Sequence, residues 1–368
     1  MRQQRVRSFV CRAGVPHRCV LLTLVVVASA TCTSSGDQKG PAAALVEGAG
    51  PMAAFDRLVG GEWMVTFASG ATAFQAWQWG PGRHSLRKIS RGLDGIAEAW
   101  AGDVLYWHPG QEQVCLLSLH GDIPGIGRGV GDGTMEFRGE TLHGRLDLRQ
   151  PRGLRTLASR WAFHGSDRYH DMLLEDSGRG FEPLAEWDFV RVPVRAGAAT
   201  PAAPAAGQRP KPTGSLQPLA DFVDQIWEAE ASRTATGDVS RIRSTVDWIP
   251  SLEVVCVRTV SPTPGTDEPV PVLDVYLHLP IGAGALRCLA LSGSGGVYRG
   301  EATSVGDGAL QFDLDGWEGD RVVRCVARLD VEPDGAVRQH VWSLQGSQRT
   351  VLLDVRHRRR DPAKPRGA

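Results

Sequence analysis

The sequence predicts an all-β protein: two tandem closed antiparallel barrels, each opened by a short N-terminal helix. Three observations predict it. Short segments with apolar residues at every second position recur along the chain, Gly, Pro, Asp and Ser separate most of them, and the pattern of residues 55–191 returns in order over 219–356. A period of two places alternate side chains on one face of a strand. Many short strands joined by tight turns suit an up-and-down barrel, which leaves no open sheet edge.

The elements follow in order. Residues 52–59 read as a short helical segment, and strands follow at 62–69, 72–79, 84–91, 97–107, 113–120, 134–138, 155–163, 168–175 and 185–191. Gly70, Gly80-Pro81-Gly82, Asp94-Gly95, Pro109-Gly110 and Gly165-Ser166-Asp167 supply turns between them. The chain contains no Asn, which excludes Asn-Gly hairpins and Asn-linked glycosylation. The second copy opens with a helical segment near 216–226. Its clearest strand is 321–331, with Val323, Cys325, Ala327, Leu329 and Val331 on one face and Arg324, Arg328 and Asp330 on the other. Val351, Leu353 and Val355 repeat that alternation.

The repeat is carried by ordered matches. Phe55 to Val59 leading to Trp63 parallels Leu219 to Val223 leading to Trp227, and Tyr106-Trp107-His108 parallels Tyr276-Leu277-His278. Cys115-Leu116 parallels Cys288-Leu289, Gly131-Asp132-Gly133 parallels Gly306-Asp307-Gly308, and His170 and Asp188 parallel His340 and Asp354. The resulting organisation is a signal sequence at 1–31, a tether at 32–51, a barrel at 52–192, a Pro/Ala-rich linker at 193–215, a second barrel at 216–357 and a basic tail at 358–368. On this reading the two halves are separable.

Leu58-Val59-Gly60-Gly61-Glu62-Trp63, Trp77-Gln78-Trp79, the glycines from Gly121 to Gly133 before Met135-Glu136-Phe137, and the closing Glu186-Trp187-Asp188-Phe189 resemble bacterial lipocalin-like (calycin-type) barrel domains of unknown function. The resemblance covers most of the first copy. The second departs from it where Gly60-Gly61-Glu62 becomes Asp224-Gln225-Ile226. It implies the barrel fold and says little about activity.

Five arginines and no acid precede an apolar run from Cys19 to Ala28, too short to span a bilayer as a helix. This is an export signal. Ala28-Ser29-Ala30 offers an ordinary cleavage site, and Cys32 followed by Thr-Ser-Ser-Gly-Asp offers lipidation and a membrane anchor instead. Export predicts a periplasmic or cell-envelope location. Without residues 1–32 and 356–368, 30 basic residues face 40 acidic ones, and a body of that sign excludes nucleic acid as main partner. Cys115, Cys256, Cys288 and Cys325 lie in apolar strands, as buried small hydrophobes or as disulfide partners.

The glycines at 125, 127, 129, 131 and 133 strip one face of a strand, which suits a bulge, a sharp barrel bend or close approach of another segment, and lack the spacing of a dinucleotide site. Tyr106 with His108, Tyr276 with His278, and the repeated His170 and His340 are candidate ligand groups inside the barrels, for haem, a metal or a polar head, or else hydrogen-bonded structural residues. Trp77, Trp79 and Trp161 are candidate lining for a small apolar ligand, or else core filling. No nucleophile elbow, zinc-protease motif, phosphate loop or CxxC pair is present, so the sequence names no catalytic residue, no metal site and no cofactor. Three readings of function stay open: an exported non-enzymatic barrel pair binding a small apolar molecule, a solid envelope scaffold or protein-interaction module, and a haem protein, metal protein or enzyme using the repeated Tyr and His residues.

Overall fold

A computed structural model of the chain describes residues 50–67, 70–92, 99–123, 125–193, 210–232, 239–262, 268–282, 284–305, 309–346 and 348–360. The expected signal sequence, Cys32, most of the tether and linker, the Asp94-Gly95 and Gly306-Asp307-Gly308 turns and the end of the basic tail lie outside the described residues.

The first barrel comprises β1 (Glu62–Thr66), β2 (Thr72–Trp79), β3 (Ser85–Gly92), β4 (Ala99–His108), β5 (Gln113–His120), β6 (Gly129–Arg138), β7 (Thr141–Gln150), β8 (Gly153–Phe163), β9 (Arg168–Asp176) and β10 (Phe181–Val192). The second comprises β11 (Gln225–Ser232), β12 (Val239–Ile249), β13 (Val254–Pro262), β14 (Pro269–His278), β15 (Leu286–Ser292), β16 (Val297–Ser304), β17 (Leu310–Glu318), β18 (Arg321–Val331), β19 (Val337–Gln345) and β20 (Gln348–Arg359). Each strand pairs antiparallel with the next, and β1–β10 and β11–β20 close the two barrels. The fold class is therefore the one the alternation predicts.

The expected opening helices are short 3-10 segments, Ala53–Leu58 and Gly214–Leu219. Each buries apolar side chains in its barrel: Phe55 and Leu58 in the first, Leu216 and Leu219 in the second. The same anchor recurs. Trp63 Nε1 donates to the Leu58 carbonyl at 2.8 Å, and Trp227 Nε1 to the Phe222 carbonyl at 3.5 Å. In the first barrel the Arg191 guanidinium lies 4.4 Å from the Trp63 ring and donates to the Val59 carbonyl at 2.7 Å.

One strand, β7, is absent from the sequence reading. Leu142, Leu146 and Leu148 point to the core, but Gly144 interrupts that face because Met135 and Ser159 occupy the space a Cβ would need. The alternate glycines 129, 131 and 133 sit in β6, and their missing side chains admit Leu146, Leu148 and the Arg145 backbone of β7. Close approach of a neighbouring strand is thus what the glycine run provides.

Each barrel has its own core, and a third core joins them. Val104, Tyr106, Cys115, Leu117, Leu119 and Val130, on the outer faces of β4–β6, pack against Val254, Cys256, Tyr276, Leu289, Leu291 and Val297 of β13–β16. Arg299–Asp132 and Arg128–Glu253 ion pairs cross the seam. His108 packs against Trp317 with ring centroids 4.6 Å apart, and a side chain at Gly82 would collide with the Gly293 carbonyl. All four described cysteines are free and buried, Cys115 and Cys256 in the seam and Cys288 and Cys325 in the second lumen. The Cys115–Cys288 match is therefore one residue out of register, since the two occupy opposite faces.

A buried Val or Leu side chain stabilises by roughly 1.5–3 kcal/mol relative to exposure, so the seam holds the halves together without help from the linker. Proteolysis within 194–209 is expected to leave two fragments that co-elute as one particle in native size exclusion, and Val254→Asp, which buries a charge, is expected to separate them. Native fragments of the wild-type chain eluting apart would contradict this.

Candidate functional site

The inner face of the first barrel carries polar groups that the second lacks. Strand register sets them side by side: Trp77 of β2 opposite Lys88 of β3, Lys88 opposite Asp103 of β4, and Asp103 opposite Ser118 of β5. From the far wall, Asp171 of β9 stands between Trp161 of β8 and Trp187 of β10. Lys88 Nζ pairs with Asp103 Oδ2, each side chain only 10% exposed. The same ammonium lies 5.6 Å from the Trp77 ring centroid and 6.0 Å from that of Trp161, two indoles that meet edge to face. Tyr169 stacks on Trp161 and Phe189 and donates to Gln75 Oε1 at 3.0 Å.

Electrostatics follow from burial. Burial alone would raise the Asp103 pKa, but Lys88 and His120, with hydrogen bonds from Lys88 and Ser118, hold it below the ordinary carboxylate value. Burial lowers His120 to about 4, Asp103 opposing and Lys88 reinforcing. The ring is therefore neutral at pH 7. Ser118 Oγ donates to Asp103 Oδ1 and lies 2.8 Å from His120 Nε2, so Nε2 carries the imidazole proton and Nδ1 is an acceptor. Asp171 is less well matched: burial, reinforced by Asp103, outweighs Lys88, His170 and the neighbouring Trp161 indole N–H and raises it to about 7.

Five polar atoms of this lumen are buried without a hydrogen-bond partner: Trp77 Nε1, Ser90 Oγ, His120 Nδ1, Trp161 Nε1 and Asp171 Oδ1. Native proteins leave few such groups, because each costs roughly 1–3 kcal/mol. Together they present donors and acceptors to the lumen, Ser90 and His120 on one cross-strand row and Trp77, Trp161 and Asp171 on others. Nucleophilic catalysis does not follow from the arrangement. The Ser118 proton goes to Asp103 rather than to His120, so the imidazole is not placed to take it.

Across β13–β15 the second lumen shows the rows Val255–Leu277–Cys288, Val257–Val275–Ala290 and Thr259–Leu273–Ser292. None carries a charge. Its polar groups are few and uncharged: Ser244 bonded to Thr259, Gln339 bonded to His357 at 2.9 Å, and three buried atoms without a partner, Trp248 Nε1, Gln339 Nε2 and His357 Nδ1.

Of the residues singled out from sequence, Trp77 and Trp161 belong to this site. Trp79 sits at the barrel end, where its Nε1 donates to Asp56. Tyr106, His108, Tyr276 and His278 are not in a lumen: they line the outer faces that form the seam, because the alternate residues Leu105, Val275 and Leu277 take the inner face. His170 and His340 lie on the outer walls as cross-strand partners of Asp188 and Asp354, at 3.1 and 3.5 Å. Among the described residues no group of three or more His, Cys, Asp and Glu side chains is arranged to hold a metal. Lys88, Asp103, Ser118, His120 and Asp171 escaped the sequence reading. The available signal was a charged or polar residue at an inward position of an otherwise apolar strand, as in Asp103 two residues before Leu105.

No family model and no curated protein matches the chain. Among solved structures it is similar to a protein of unknown function from the DUF3598 family of Nostoc punctiforme, at 10% identity and a TM-score of 0.23, over 83% of this chain and 97% of that one. A likeness of that degree carries no argument about the site.

Two outcomes are expected. A carboxyl whose folded pKa is raised from 3.8 to about 7 favours folding below pH 4, and that contribution is lost as pH rises through 7. Asp171→Asn should therefore melt above wild type at pH 8, by at most about 4 kcal/mol, with the advantage shrinking towards pH 4. A pH-independent difference in melting temperature would refute the assignment. His170→Ala and His340→Ala, on exposed walls, should each cost less than about 1 kcal/mol in urea unfolding.

Proposed function

We propose that the protein is an exported, non-enzymatic binding protein whose first barrel, lipocalin-like in form, takes a small molecule with a flat apolar body and one polar head. The second barrel, related to it by duplication, serves as its docked, apolar-cored partner. The observation that carries the reading is the set of five unpartnered buried polar atoms around Trp77, Trp161 and Asp171. Ligand sites are mostly apolar with a few placed polar groups, and this lumen has that composition. A head group that both donates and accepts, such as a hydroxyl or primary amide, satisfies Asp171 or His120 Nδ1 on one side and an indole N–H on the other. Export, with or without a lipid at Cys32, rests on the basic and apolar pattern of residues 1–31.

The test is a titration of the intact chain with a panel of small aromatic and aliphatic alcohols and amides, read by tryptophan fluorescence. Saturable quenching at micromolar concentration is expected, weakened at least tenfold in Trp161→Phe and in Asp171→Ala. No saturable response across the panel would favour a solid scaffold, the reading the apolar second lumen already suits.

A further inference from the structure

We propose that the cleft between the two barrels binds the oxyanion head of a small amphipathic acid, a carboxylate or a phosphate monoester, through Arg87, Arg243 and Arg258. This site is separate from the lumen. Trp79 and Arg87 of the first barrel form one wall, and Arg243, Arg258, Val260 and Asp274 of the second form the rest, around about 230 Å³. Neither barrel alone contains it.

The guanidiniums are only partly matched. Arg87 donates a terminal N–H to Gln78 at 2.7 Å, and Arg258 pairs with Asp247 at 3.2 Å. The Nε atoms of both are buried without an acceptor. Among the described residues, Asp274, buried beside Arg87 and Arg258, and Asp247 leave one of the three guanidiniums, Arg243, without an ion-pair partner, Glu228 standing opposite it across the strand pair beyond ion-pair distance. A buried donor without an acceptor is costly, and a guanidinium presents Nε and a terminal nitrogen as a fork that fits two oxygens of one carboxylate or phosphate. A single oxyanion thus supplies both the missing acceptors and the missing ion-pair partner. Beside it, Trp79, Val260 and Pro271 offer an apolar wall for a short chain or ring, and clefts at domain interfaces are common ligand sites.

Isothermal titration calorimetry of the full chain carrying Trp161→Phe, which weakens the lumen site, with octanoate, octyl phosphate and uncharged octanol tests the proposal. One saturable site for either or both acids, with octanol at least tenfold weaker, is expected, and the preferred acid identifies the head group. Arg243→Gln and, from the other barrel, Arg87→Gln should each weaken binding at least tenfold with unchanged circular dichroism, while Asp171→Asn in the lumen leaves it unaltered. No saturable heat, equal binding of octanol, or undiminished binding in both arginine variants would overturn it.

Discussion

The structure depends on a constraint at the seam: stretches of β4, β5 and β13–β15 are buried on both faces. A barrel strand ordinarily gives one face to the lumen and the other to water. Here Leu105 and Leu116 fill the first lumen while Tyr106, Cys115 and Leu117 face outward, and Val255 and Val257 fill the second while Val254 and Cys256 face outward. Such walls are stable only when covered, and each barrel covers the other. The ion pairs Arg299–Asp132 and Arg128–Glu253 sit on the same contact and fix its alignment, since charge pairs add orientation more than stability.

Docking also decides what becomes of the repeated Tyr and His residues. Tyr106, His108, Tyr276 and His278 are buried by the partner barrel rather than by a guest. Burial holds His108 and His278 below their ordinary pKa, His278 at about 4, so these rings serve the seam as neutral packing groups. The same docking draws Arg87 towards Arg243 and Arg258 and so creates the cleft.

Inside, the two barrels diverge. One opposed charge pair, Lys88–Asp103, organises the first lumen, with Ser118 donating to the carboxylate, His120 donating to Ser118, and two indoles flanking the ammonium. Asp171 across the lumen is raised by burial, with Asp103 reinforcing it and Lys88 and His170 too weak to offset it. The second lumen replaces these rows with Leu, Val and Thr. Closure and topology are shared; the interior chemistry is not.

The sequence by itself determined the all-β class, the number of barrels and most strand positions, because alternation, turn residues and spacing are local properties of the chain, while the structure chose close strand approach among the roles open to the glycine run. It also held a sign of the seam, since continuous apolar runs such as Val114–Leu117 and Val254–Val257 mark strands buried on both faces. Strand β7 was legible in its alternating leucines but masked by Gly144, whose reason lies on the neighbouring strands. Only the tertiary structure decided which face of each strand looks inward. The period of two groups Tyr106 with His108 equally well for either side, and barrel closure makes the choice. Nor does spacing reveal that Lys88, Asp103, Ser118, His120 and Asp171, scattered over more than eighty residues, converge on one lumen. That convergence comes from strand register and from closing the sheet on itself, relations between segments distant along the chain.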